Sequence, residues 1–133
     1  VVWLNALGYR SEVTIAFRST DHTVSEEWAK LLIKQPEFMK KILTDDWIKS
    51  EIQHKPGSDL WVFKVEEVKW YEGYDQVDAM ESLWTHFADL EDAHSNLMGL
   101  FIRIGEETGD VDERQIGDGH ELGYVTSHIE LNF

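Results

Sequence analysis

The chain contains no cysteine, so disulfides, thiolate nucleophiles, cysteine-ligated zinc and iron–sulfur clusters are excluded from its folding and its chemistry. A reducing compartment suits such a chain. Long apolar runs are missing as well. Leu31 to Ile33 and Leu60 to Phe63 are among the longest, far below the ~20 residues that span a bilayer as a helix. The stretch Val1 to Gly8 is apolar but too short, and has no basic flank, for a secretory signal. Proline is confined to two positions, and no linker, internal repeat or low-complexity block divides the chain. Scarcest of all is positive charge in the second half. Residues 67–133 contain Lys69, Arg103 and Arg114 against sixteen Asp and Glu, whereas residues 1–66 hold nine Lys and Arg against ten acids.

Of the net charge of −14, then, all but one unit lies in the second half. Such a field repels nucleic acid and anionic membrane and draws in basic protein surfaces. The length of 133 residues fits a single domain, 1–133, and six Trp, six Phe and four Tyr supply its core.

Val13, Ile15 and Phe17 alternate with polar or small residues, the period of a half-buried strand. Thr23 with Glu26 three residues on spells a capping box, predicting a helix from about Val24 with Trp28, Leu31 and Leu32 on its apolar side. Pro36 breaks that helix and opens a second segment. Trp47 to His54, the turn residues Lys55 to Asp59, and Leu60 to Val65 read as a hairpin. The apolar parity then shifts between Val65 and Val68, which predicts a bulge at Glu66 and Glu67. Asp75 is placed to cap a second helix carrying Val77, Met80, Leu83, Trp84, Phe87 and Leu90. A strand over Leu97 to Ile104, a loop over Gly105 to Gly119 and a last strand from Val125 to Phe133 complete the order. The expected fold is α+β: a ferredoxin-like βαββαβ unit with an additional C-terminal strand, its helices on one face of an antiparallel sheet. Trp28, Leu32, Val62, Phe63, Trp84, Phe87, Ile102 and Ile129 are expected to be buried.

The segments Tyr9-Arg-Ser-Glu-Val13, Val68-Lys-Trp-Tyr71 and Phe101-Ile-Arg-Ile-Gly-Glu106 together resemble small acidic phage and prophage proteins of uncharacterised function. The resemblance follows the same order over most of the chain, through short motifs, and carries no catalytic residues. It implies a phage accessory protein in the host bacterial cytoplasm, where small acidic proteins bind and block defence or polymerase machinery.

Chemical motifs fail one by one. Asp110, Asp112 and Glu121 fall at positions one, three and twelve of an EF-hand loop, but Arg114 stands where an oxygen ligand belongs and Gln115 where the loop wants glycine. A solvated acidic loop is the better reading. His86, Asp89 and His94 are spread over two turns, poor spacing for zinc. No Gly-x-Ser-x-Gly elbow occurs, and Gly105-x-x-x-Gly109 lacks the lysine of a phosphate loop. No catalytic residue, metal or cofactor is assigned. Lys30, Lys34, Lys40 and Lys41 read as a solvated face. The cluster Trp70 to Tyr74 reads first as a core plug, with Tyr71 or Tyr74 as an interface anchor in the alternative.

These readings converge on a non-enzymatic protein that binds and inhibits a host protein through an acidic surface, DNA mimicry being one form such a surface takes. The candidate residues are Asp78, Glu81, Asp89 and Asp92 on the second helix; Glu106, Glu107, Asp110, Asp112, Glu113 and Asp118 in the loop; and Tyr71 and Tyr74. The expected partner is a host protein with a basic surface, with no direct contact to nucleic acid or membrane. Acidity for solubility alone is the plain alternative. A small-ligand or nucleotide sponge using Arg10, Arg18 or Arg103 is another, and a minor structural or assembly subunit a third. A concave pocket where arginine and aromatic groups converge would mark the ligand binder, and a convex row of carboxylates the acidic interface.

Overall fold

The computed structural model describes residues 8–44, 52–55, 59–126 and 128–132. In chain order the elements are β1 (Ser11–Ser19), α1 (Thr23–Lys34), α2 (Pro36–Thr44), β2 (Ile52–Lys55), β3 (Leu60–Val68), α3 (Asp75–Ala88), β4 (Leu97–Gly105), β5 (Val111–Ile116), a 3-10 turn (Gly119–Glu121), β6 (Gly123–Val125) and β7 (Ile129–Leu131). The protein is α+β. Val13, Ile15 and Phe17 on one side of β1 and Thr14 and Ala16 on the other are all fully buried. A strand apolar on both sides needs cover on both sides and belongs inside a sheet. β1 accordingly lies in the middle of a five-stranded sheet ordered β2-β3-β1-β4-β5, every pairing antiparallel.

The helices cover one face. Val13, Ile15, Phe17, Trp61, Phe63 and Phe101 of the sheet pack with Val24, Leu31, Met39, Met80, Leu83, Trp84 and Phe87 of the three helices. At the centre the Phe17 ring stacks 4.1 Å from Phe87 and 5.7 Å from both Trp61 and Trp84. Glu27 is only 7% exposed and sits between α1 and α3, its carboxylate accepting from Lys30 Nζ and lying 3.2 Å from His86 Nε2. Burial pushes the Glu27 pKa up, but the hydrogen bonds from Lys30 and His86 prevail and hold it below the usual value.

The opposite face is covered too. Ala16, Val62, Leu100 and Ile102 pack with Leu122 and Ile129, which belong to the 3-10 turn region and the β6–β7 ribbon. Gly119 lies so close to the Gly99 carbonyl that a Cβ would collide with it, so only glycine lets the turn settle on β4. Glu12 of β1 fixes the ribbon by accepting the Ile129 N–H at 3.1 Å.

Several expectations change. The added strand of the main sheet is not the C-terminal segment but β5, inside the stretch read as a loop, and the C-terminus instead forms the separate ribbon β6–β7. β5 escapes a periodicity reading because Val111 and Ile116 are its sole apolar residues, at its two ends. Thr23 does not cap α1; Asp21 Oδ1 accepts both the Thr23 N–H at 2.9 Å and its hydroxyl at 2.6 Å. Asp75 is the first residue of α3 rather than its cap, and Asp78 reaches back to accept the Gly73 N–H at 3.2 Å. Leu32 is 41% exposed, because α1 turns Val24, Glu27 and Leu31 inward and Leu32 lies about 100° further round. Trp28 is half-buried against the core, and the other six residues expected inside are buried. The bulge occurs where parity placed it: Ser11 faces Val68 and Val13 faces Val65, with Glu67 at φ +55°. The strand reading over 47–51 and most of the hairpin turn lie outside the described residues.

Phe87→Ala should therefore lower stability by about 3–5 kcal/mol, whereas Leu32→Ala should change it by less than about 1 kcal/mol. Urea unfolding of both variants checks this, and an equal loss at the two sites would contradict the packing described.

Candidate protein-binding surface

β4 and β5 form a hairpin whose turn carries Glu106 and Glu107 and contains Gly109 at φ +83°, a left-handed conformation that favours glycine. At the base of this turn a knot of side chains forms. Arg103 donates to both oxygens of Asp110, at 2.6 and 3.1 Å, and to the Ser11 hydroxyl at 3.3 Å. Tyr9 donates its hydroxyl to Asp110 at 2.7 Å and accepts the Glu107 N–H at 2.8 Å, while its own N–H donates to the Tyr71 hydroxyl at 2.6 Å. Gly105 lies beneath, where a Cβ would collide with Asp110 and Tyr9. The hydrogen bonds from Arg103, helped by Tyr9, hold the Asp110 carboxyl down to about 2. Asp110 in turn raises the Arg103 pKa.

One step along β5, Arg114 reaches across the helix-covered face. Its guanidinium bonds both oxygens of Glu81 on α3 and both of Asp112, and stands 4.2 Å above the Phe101 ring. The Glu81 hydrogen bonds, then those of Asp112, push its pKa up. Bidentate geometry of this kind fixes orientation as well as charge.

The structure therefore divides the candidate residues. Glu81, Asp110 and Asp112 are ion-paired with Arg103 and Arg114 and are half-buried. Asp78, Asp89, Asp92, Glu106, Glu107, Glu113 and Asp118 are exposed. Glu106 also accepts the Arg10 N–H at 2.9 Å. Near the far end of β5, Glu91 accepts the Gly117 N–H at 2.9 Å and brings the segment after α3 alongside Asp118. Tyr71 is tied to Tyr9, and its ring meets Tyr74 edge-on at 5.3 Å. Tyr74 is 46% exposed and is the aromatic of the Trp70 to Tyr74 cluster that faces outward. Trp70 plugs the core edge, 6.3 Å from Phe63 and 6.2 Å from Phe101. The segment holding Asp110, Asp112 and Glu121 contains a strand, not a wrapped loop, and its first two carboxylates are occupied by arginines. The EF-hand spacing has no geometric counterpart here. His86 faces Glu27 and His94 lies 3.5 Å from the Thr23 hydroxyl, so the two histidines serve different contacts.

Two cavities open near this end of the sheet. One, of about 530 Å³, has Trp70, Val77, Arg103 and Arg114 in its wall together with Glu72, Asp78, Glu81 and Asp112. The other, of about 330 Å³, faces Arg10 with Glu12, Glu66, Glu67 and Glu106. Arginine and tryptophan do converge in the first, as a ligand binder would require. Carboxylates outnumber guanidiniums in both, however, so a nucleotide's phosphates would meet repulsion. Comparison of the chain with protein-family models, with curated proteins and with solved structures finds no match. No helix among the described residues is long and apolar enough to cross a membrane.

A carboxylate whose pKa is depressed in the folded state contributes stability that is complete above its unfolded value near 4 and is lost as pH falls through its folded value. Asp110 should thus make the unfolding midpoint fall between about pH 4 and about pH 2. In Asp110→Asn that part of the slope should be shallower, by a modest amount because the side chain is 34% exposed. Thermal unfolding across this range reads it, and identical slopes would contradict the Asp110 pairing.

Proposed function

We propose that this chain is a non-enzymatic binding protein that docks a basic surface of a partner protein against its acidic rim: the outer side of α3, the β4–β5 turn and β5. One observation carries the reading. The two arginines of the second half are already engaged by Glu81, Asp110 and Asp112, so the exposed Asp78, Asp89, Asp92, Glu106, Glu107, Glu113 and Asp118 project their charge outward. Tyr74 is the aromatic anchor of this rim. We read the fold as a ferredoxin-like βαββαβ unit extended by β5 and the ribbon. The order β2-β3-β1-β4 with all helices on one face supports that assignment. The resemblance to phage and prophage proteins makes a bacterial host protein of the defence or nucleic-acid-processing machinery the partner to seek.

Charge density argues against imitation of a duplex. β5 has six residues and so spans ~20 Å. Duplex DNA presents ~12 charges over that length. The strand and its flanking turns carry Glu106, Glu107, Asp110, Asp112, Glu113 and Asp118, of which Asp110 and Asp112 are engaged by arginines. A discrete basic patch on a protein fits this spacing better than a site built for DNA.

The test begins with affinity capture from a bacterial lysate at low and high salt. The captured protein's on-rate should then fall several-fold for the combined Glu107→Gln, Glu113→Gln and Asp118→Asn variant, with a flatter salt dependence. Glu26→Gln with Glu37→Gln, on the first-half helices, should leave both quantities near wild type. Equal effects from the two sets would overturn the acidic-rim reading.

A further inference from the structure

β5 is the outermost strand of the main sheet, and its ladder to β4 determines which of its backbone groups point outward. Gly105 N–H donates to Asp110 O at 2.8 Å, and in the register of the hairpin Gly105 stands opposite Asp110. Antiparallel ladders alternate, so Asp112, Arg114 and Ile116 turn their N–H and C=O groups toward β4. Glu113 and Gln115 turn theirs away from the sheet. Among the described residues no strand pairs with that outer edge. Their side chains are exposed as well.

An open edge is ordinarily blunted by charge to prevent pairing with other chains. Here the charge is selective. A second copy paired about the middle of β5 would set Glu113 against Glu113 and bring together two chains of net charge −14. Side chains directly opposite across a strand pair lie ~5 Å apart, close enough for like charges to oppose pairing and unlike charges to favour it. A strand carrying lysine or arginine meets the reverse. On the face turned away from the helices it has the exposed Glu113 opposite.

We propose that β5 accepts an extended, basic segment of the partner as a sixth strand of the sheet, main-chain hydrogen bonds to Glu113 and Gln115 giving the attachment and the exposed Glu113 carboxylate, within the acidic rim, selecting lysine or arginine. The proposal rests on the acidic-rim reading and names the form its partner takes.

The probe is a short capped peptide of alternating Lys and Thr, titrated into the full chain at low salt and followed by amide hydrogen exchange. Exchange at Glu113 and Gln115 should be fast in the free protein and slow by at least about tenfold in the complex, while Asp112 and Arg114, already bonded to β4, change little. Gln115→Pro removes an outward donor and no ladder bond, so it should keep the fold and weaken peptide binding by about tenfold or more. If the peptide binds but exchange at Glu113 and Gln115 is unaltered, the added strand is wrong while the acidic rim stands. If the peptide does not bind at all, both fall. Protection of the same two amides on raising protein concentration without peptide would mean self-pairing and would overturn the basic occupant.

Discussion

Covering both faces of the sheet leaves this protein no flat surface on which to put its charge. Helices pack on one side of β1, β3 and β4 and the C-terminal ribbon on the other, so the central strands must be apolar on both sides. Carboxylates are displaced to whatever lies outside those layers: the outer side of α3, the turns at the sheet ends and the edge strand. Asp78, Asp89, Asp92, Glu106, Glu107, Glu113 and Asp118, all exposed, therefore become a rim. The location of the candidate binding surface follows from packing before any partner is considered.

A rim of like charge repels itself, and Arg103 and Arg114 set the terms on which it folds. Each is partly buried and held by carboxylates from separate segments: Arg103 by Asp110 across the hairpin, Arg114 by Glu81 of the helix layer and Asp112 of its own strand. Pairs exposed to this degree contribute little stability singly, about 0–1 kcal/mol. Their larger effect is positional. By holding Glu81, Asp110 and Asp112 on the helix-covered side, they leave Glu113 to define the charge of the other side of β5.

The fold was legible in the sequence where one physical signal dominated. Val13, Ile15 and Phe17, the α3 stripe and the Leu97 to Ile104 strand are governed by burial and form the expected elements, but the half-buried period read for β1 does not hold, since Thr14 and Ala16 are buried as well. Glu66 and Glu67 were legible because a bulge must shift apolar parity. β5 was not, since its inward positions hold Asp112 and Arg114, polar residues made acceptable by pairing with Glu81 and with each other. Its readable trace was Thr108-Gly109-Asp110, a turn signal right after a strand. The identities of the rim carboxylates could be read from charge alone. Which of them are ion-paired depends on strand register and on Tyr9, a residue whose role no local pattern announces. The two expected caps fail for different reasons: Asp21 offers a carboxylate, a stronger acceptor of the Thr23 N–H than a hydroxyl, whereas Asp75 already lies inside the first turn of α3 and Asp78 reaches back to Gly73 in its place.

The central position of β1 also governs how the chain reaches this structure. Its neighbours are β3 and β4, with Ser11 opposite both Val68 and Gly105, so β1 is paired on its second side by a strand some ninety residues further along the chain. Closing such distant contacts is entropically slow. Until then Val13, Ile15 and Phe17 sit in an unfinished sheet edge of the kind that aggregates. The segment that completes the sheet is the strongly anionic one, so β1 gains its second neighbour together with the charge that sets copies of the chain against one another.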